Sequence, residues 1–134
     1  IAPPGTIDVW WRGHKNGELM LLLAHLLKRN QDWRTRPIRL LRVIENEAGR
    51  DEVRGHLESL IDKSRIRATA EVVVSSDPRG AILDTSKKAA ITFFGFEPPK
   101  EGNEEAWYHG MERLAGDLPR MLLVNSTGGM TLES

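Results

Sequence analysis

Four short segments of this chain gather residue types able to hold a small ligand. Arg12-Gly13-His14-Lys15-Asn16-Gly17 places two cations among glycines where a helix is expected to open. A helix N-terminus offers unpaired N–H groups and the positive end of a dipole, so Arg12, Gly13, Lys15 and Asn16 are candidates for holding a phosphate. Ser75-Ser76-Asp77 offers two hydroxyls, from Ser75 and Ser76, and Pro98-Pro99-Lys100 offers one cation. Asn125-Ser126-Thr127-Gly128-Gly129 is similar to a nest of successive N–H groups, with Asn125 and Ser126 as its polar side chains. Each segment also reads as a solvated turn. The first matches neither the dinucleotide pattern G-x-G-x-x-G nor the phosphate loop G-x-x-x-x-G-K-[ST].

Catalytic and metal constellations are harder to assemble. The chain has no cysteine, which excludes thiolate catalysis, disulfides and Cys-based metal sites. His14, His25, His56 and His109 fall on different elements and none pair as H-x-x-x-H. A zinc site needs three or four converging ligands, and His25 reads instead as a half-buried packing residue of a leucine-rich helix. No serine sits in a G-x-S-x-G elbow. Asp51-Glu52 and Glu104-Glu105 belong to first helical turns, where carboxylates favour the positive dipole end. Arg34, Arg36, Arg39 and Arg42 form a basic cluster, with Arg39 and Arg42 on opposite faces of a strand. Salt bridges to neighbouring helices are preferred there over an anionic lipid or partner. With no nucleophile, base and orienting group together, neither an enzyme, a metal nor a cofactor is expected.

The elements that position these segments follow from hydrophobic periodicity. Ile7-Asp8-Val9-Trp10-Trp11-Arg12 reads as a strand, and its adjacent tryptophans must point to opposite faces. A strand apolar on both faces is covered on both, as in a central parallel strand. Strands are predicted at 7–12, 38–45, 68–75, 90–96 and 121–125. Helices are predicted from an Asn16 cap to about 28, at 50–63, at 81–88 and from 103 to 116. Asp77-Pro78-Arg79-Gly80 reads as a turn. Strict alternation with right-handed crossovers gives an α/β fold, a three-layer doubly wound five-stranded parallel sheet. The expected order is 3-2-1-4-5, with 2-1-3-4-5 as the alternative. Ligands in such sheets bind beyond the carboxyl ends of the strands at the switch point. The four segments follow strands one, three, four and five, and in the order 3-2-1-4-5 the switch lies between strands one and four.

Length and composition bound the function class. The 134 residues suit one domain, with 40% hydrophobic and 28% charged residues. Formal net charge is +0 and the pI is about 7.1, which argues against a nucleic-acid partner. No apolar run reaches the roughly 18 residues that span a bilayer. Ile1-Ala2-Pro3-Pro4-Gly5 without Met suggests a piece of a longer polypeptide, with residues 1–6 as linker and 7–134 as one α/β subdomain.

Both ends of the chain resemble the C-terminal cytosolic domain of cation-chloride cotransporters and their prokaryotic relatives. Ile7-Asp8-Val9-Trp10-Trp11 matches that family's I-D-V-W-W strand, and Gly17-Glu18-Leu19 through Leu27 its leucine-rich helix. Pro37-Ile38-Arg39-Leu40-Leu41 matches its next strand. Asp117-Leu118-Pro119-Arg120-Met121-Leu122-Leu123-Val124 matches D-L-P-P-I-L-L-V, and Met130-Thr131-Leu132-Glu133-Ser134 loosely echoes the terminal L-T-F-Y-S. The connection from Asp77 to Ala89 lacks the long insertion of the animal members. The resemblance implies a non-catalytic regulatory domain at the cytoplasmic face of the cell membrane. That domain would form a homodimer and modulate its own transmembrane part. It also implies a fold similar to universal stress proteins. Their ATP motif begins with paired glycines after strand four, and here Gly95-Phe96-Glu97-Pro98 departs from it, so nucleotide binding lacks a motif.

Overall fold

The structure, a computed structural model, describes residues 4–11, 17–95 and 101–124. Five strands alternate with four helices: β1 Ile7–Trp10, α1 Gly17–Lys28, β2 Ile38–Ile44, α2 Arg50–Ser64, β3 Thr69–Val74, α3 Pro78–Ser86, β4 Ile91–Gly95, α4 Glu104–Asp117 and β5 Met121–Val124. All pairings are parallel and the order is β3-β2-β1-β4-β5. The first of the two expected orders is therefore the observed one. β1 is central because all four of its residues are buried, which only a strand covered on both faces can satisfy.

The tryptophan pair divides as strand geometry requires. Trp10 joins Leu41, Phe94, Ile82 and Leu118 in one apolar cluster. Trp11 packs against the other, built from Ile7, Val9, Leu40 and Phe93 under Met20, Leu21 and Leu57. Helices α1 and α2 cover this second face, and α3 and α4 cover the first. That division follows from right-handed crossovers that run one way from β1 to β3, through α1 and α2, and the other way from β3 past β1 to β5, through α3 and α4.

Three expectations need correction. Helix α3 begins at Pro78, not at 81, because Pro occupies the first turn and the Asp77 side chain caps it, accepting from the Gly80 N–H at 3.2 Å. The segment expected as a free turn is a helix start. His25 is exposed on α1 and does not pack in the core. Arg39 does not bridge to a helix carboxylate: its acidic partners, Asp8 and Glu71, stand on strands. Arg65, just past α2, adopts φ 59°, and its N–H bonds to the carbonyls of Asp62 and Ile61. This is the left-handed position that glycine ordinarily fills.

The chain enters β1 through a close contact. Gly5 has φ +116°, and a Cβ there would lie 2.3 Å from the Lys88 carbonyl oxygen. The Thr6 carbonyl accepts from the Ala90 N–H at 2.8 Å.

Candidate functional site

Of the expected ligand-binding residues, Ser75 and Ser76 lie among those described. Arg12, Gly13, Lys15, Asn16, Asn125 and Ser126 lie outside the described residues, as do 98–100. The strands leading to them do converge. Trp10 is in register with Phe94 and Gly95 with Val124, so β1, β4 and β5 end side by side. Ser75 closes a local turn: its hydroxyl accepts from the Asp77 N–H at 3.0 Å and donates to the Asp77 carbonyl at 3.2 Å. Ser76 is exposed. The Asp77 carboxylate occupies the N-terminus of α3, putting a negative charge where an anion would otherwise sit.

Sequence reasoning passed over the polar centre of the molecule, which lies under α3. Asp8 is fully buried in the middle of β1. One carboxylate oxygen, Oδ1, accepts from Thr6 Oγ1 at 2.6 Å and from Arg39 Nε at 2.7 Å. The other, Oδ2, accepts from Arg39 Nη2 at 2.6 Å and from Ser86 Oγ at 2.6 Å. The Arg39 fork is thus bidentate on Asp8, the geometry that makes such pairs strong. Arg39 also donates from Nη1 to Glu71 at 3.2 Å and from Nη2 to the Thr85 carbonyl at 3.1 Å. Ser86 in turn accepts from the Trp10 indole N–H at 2.9 Å.

This network joins β1, β2, β3 and the last turn of α3. The hydrogen bond to Asp8 holds the Arg39 pKa above its ordinary value, with partial burial opposing. All four acceptor positions of this carboxylate are taken by donors of its own chain, so the cluster reads as a structural lock. One neighbour stands apart. Thr92, in register with Asp8 on β4, is fully buried, and its Oγ1 has no hydrogen-bond partner. A signal was present in the sequence: an aspartate inside an otherwise apolar central strand must find a cation, and Arg39 is the neighbour that β1–β2 pairing brings into register.

Among the described residues, no group of three His, Cys, Asp or Glu could hold a metal ion, and no helix is long and apolar enough to cross a membrane.

Comparison with solved structures shows the architecture. A universal stress protein in complex with cAMP superposes with a TM-score of 0.67 at 12% identity, covering 95% of this chain and 100% of its own. The macrolide-efflux protein from Streptococcus pneumoniae gives a TM-score of 0.48 at 11% identity, covering 95% of this chain and 47% of its own. The fold is therefore similar to universal stress proteins. The sequence profile described as Solute carrier family 12 matches residues 2–95. That span contains β1 with its Asp8 and Trp10, β2 with Arg39, and α3 with Ser86, so the lock lies wholly within the matched region. The chain belongs to solute carrier family 12, the cation-chloride cotransporters.

Proposed function

We propose that this chain is a non-catalytic regulatory and assembly domain of a cation-chloride cotransporter-like carrier. It acts at the cytoplasmic face of the membrane by contacting its own transmembrane part and by forming a homodimer. Residues 1–6 serve as the linker into the domain, and 7–134 form one unit. The observation that carries the reading is the family match over residues 2–95. A polar centre saturated by its own partners supports it, since a rigid unit transmits position rather than chemistry.

Ion flux through the complete carrier tests the proposal, with and without residues 7–134. Removal is expected to change the rate or the surface assembly while leaving ion selectivity intact. Unchanged flux and unchanged oligomeric state would sink it. Sedimentation of the 134-residue chain addresses the dimer separately, where a strict monomer at high concentration removes that part of the reading.

The alternative is a nucleotide- or anion-sensing module. It draws on the shared architecture with a stress protein that was solved with cAMP, and fold alone does not fix function. Its binding residues are the expected set: Arg12, Gly13, Lys15, Asn16, Ser75, Ser76, Asn125 and Ser126. A thermal-shift screen with ATP, AMP and cAMP is expected to show no change. A ligand at 100 times its Kd adds about 2.7 kcal/mol of stability, so a real site would be evident and would replace the regulatory reading.

A further inference from the structure

A formal net charge of +0 conceals a separation of charge along the strands. In a parallel sheet every helix-to-strand connection falls at one end and every strand-to-helix connection at the other. The first end takes in the last turn of each helix and the link to the next strand. It holds ten Lys and Arg against four Asp. Lys28, Arg29, Arg34 and Arg36 lie between α1 and β2. Lys63, Arg65 and Arg67 lie between α2 and β3. Lys87 and Lys88 precede β4, and Arg120 precedes β5. Eight of the ten are exposed, Lys28 and Arg36 being half-buried.

The opposite end reverses the sign. Among the described residues, the strand-to-helix links and the first turns of α2, α3 and α4 hold eight Asp and Glu against Arg50 and Arg79. Helix dipoles account for part of this pattern, because all four helices run the same way and favour anions at one end and cations at the other. They do not account for Arg34, Arg67, Lys88 and Arg120, which lie beyond the last turns, in the links to the strands.

Arg65 carries the point further. It keeps a long cationic side chain at φ 59°, where glycine would relieve backbone strain.

We infer that this basic end is a docking surface for the anionic phospholipid headgroups of the cytoplasmic leaflet. Charge complementarity is the first argument, and the second is shape. A planar bilayer meets one end of the sheet only. The seven residues of β2 hold the acidic end about 20 Å away, more than two Debye lengths of about 8 Å at physiological salt. The molecule then interacts as a cation, although its total charge is zero. Family membership is the third argument, because a carrier domain is held beside a bilayer, where weak electrostatic contacts suffice. The surface rests on the membrane-attached reading above but requires no dimer.

Co-sedimentation of the 134-residue chain with phosphatidylglycerol-rich vesicles tests this, against phosphatidylcholine vesicles at equal lipid. Binding is expected to anionic vesicles only and to fall steeply as salt rises. Arg34→Gln, Arg67→Gln and Lys88→Gln should each lower partitioning by about fivefold, while Glu45→Gln and Glu101→Gln leave it unchanged. Arg65→Gly separates charge from folding: it should keep or raise the Tm and still weaken vesicle binding. Equal binding to both vesicle types, or none to either, overturns the surface. Tighter binding to a short DNA duplex at the same salt overturns the membrane as partner. Failure here with a preserved effect of residues 7–134 on flux would remove the lipid surface alone. Vesicle binding with no effect on flux would remove the regulatory reading alone.

Discussion

On the face covered by α1 and α2, strand and helix meet through hydrocarbon, with Ile7, Val9, Leu40 and Phe93 under Met20, Leu21 and Leu57. On the face covered by α3 and α4, the same strands present Asp8, Arg39 and Glu71 beside a smaller apolar cluster. The two faces solve one problem differently. Helix α1 buries Met20, Leu21 and Ala24, and α2 sets Leu57 in the same core with Val53, Leu60 and Ile61 half-buried against it, so both are placed by apolar contact. Helix α3 has nine residues, and its one buried apolar side chain is Ile82, beside the fully buried Ser86. Burial alone does not fix so short a helix. Directional bonds from its last turn to Asp8 and Arg39 do. A long helix can tolerate imprecise contacts, and a short one substitutes geometry for area.

Breaking each face should expose the difference. Arg39→Met should give the largest effect on the polar face, a loss of about 3–5 kcal/mol in urea unfolding, because it strands a buried carboxylate. Adding Asp8→Leu to it should restore part of that loss, with a coupling of about 0.5–3 kcal/mol. Strict additivity would mean that the two side chains do not act as a pair. On the apolar face Leu21→Ala should cost about 2–5 kcal/mol. Its effect should add to that of Arg39→Met, since the sheet separates them, and strong coupling would contradict two independent faces. Ser86→Ala should cost about 1–3 kcal/mol by leaving the Trp10 indole and one Asp8 oxygen short of a partner. Indole fluorescence should shift with it; an unshifted spectrum and unchanged stability would show that the bond is not made. Thr92→Val is expected to be the smallest change and of opposite sign, a gain of up to about 1 kcal/mol, because it removes a buried hydroxyl that has no partner. A measured loss would reveal a partner for that hydroxyl.

These two faces also differ in how far the sequence discloses them. The order of the sheet followed from the Trp10-Trp11 pair and from strict alternation of elements, since period and crossover handedness are local rules. The apolar face followed from leucine spacing in α1. The polar lock did not, because Asp8 and Ser86 are separated by 78 positions, and only the assembled sheet brings them within hydrogen-bond reach. Asp77-Pro78-Arg79-Gly80 carried both turn and helix-start chemistry. The competition was decided by the Asp77 cap, a bond that composition does not reveal. Of the expected ligand residues, Ser75 was legible as a loop position but not as half of a self-contained turn.

The entry of the chain into β1 has a mechanical consequence. Gly5 passes tight against Lys88, and the Thr6 carbonyl is tied to Ala90 before the strand begins. A pull on this segment therefore loads β1 along its own axis. Because β1 is flanked by β2 and β4 in parallel register, that load shears two rows of hydrogen bonds at once instead of peeling them one by one. The Asp8–Arg39 fork lies across the same line of force. Tension arriving at residue 4 would thus move the sheet as one body, and α3 with it, before any strand comes loose.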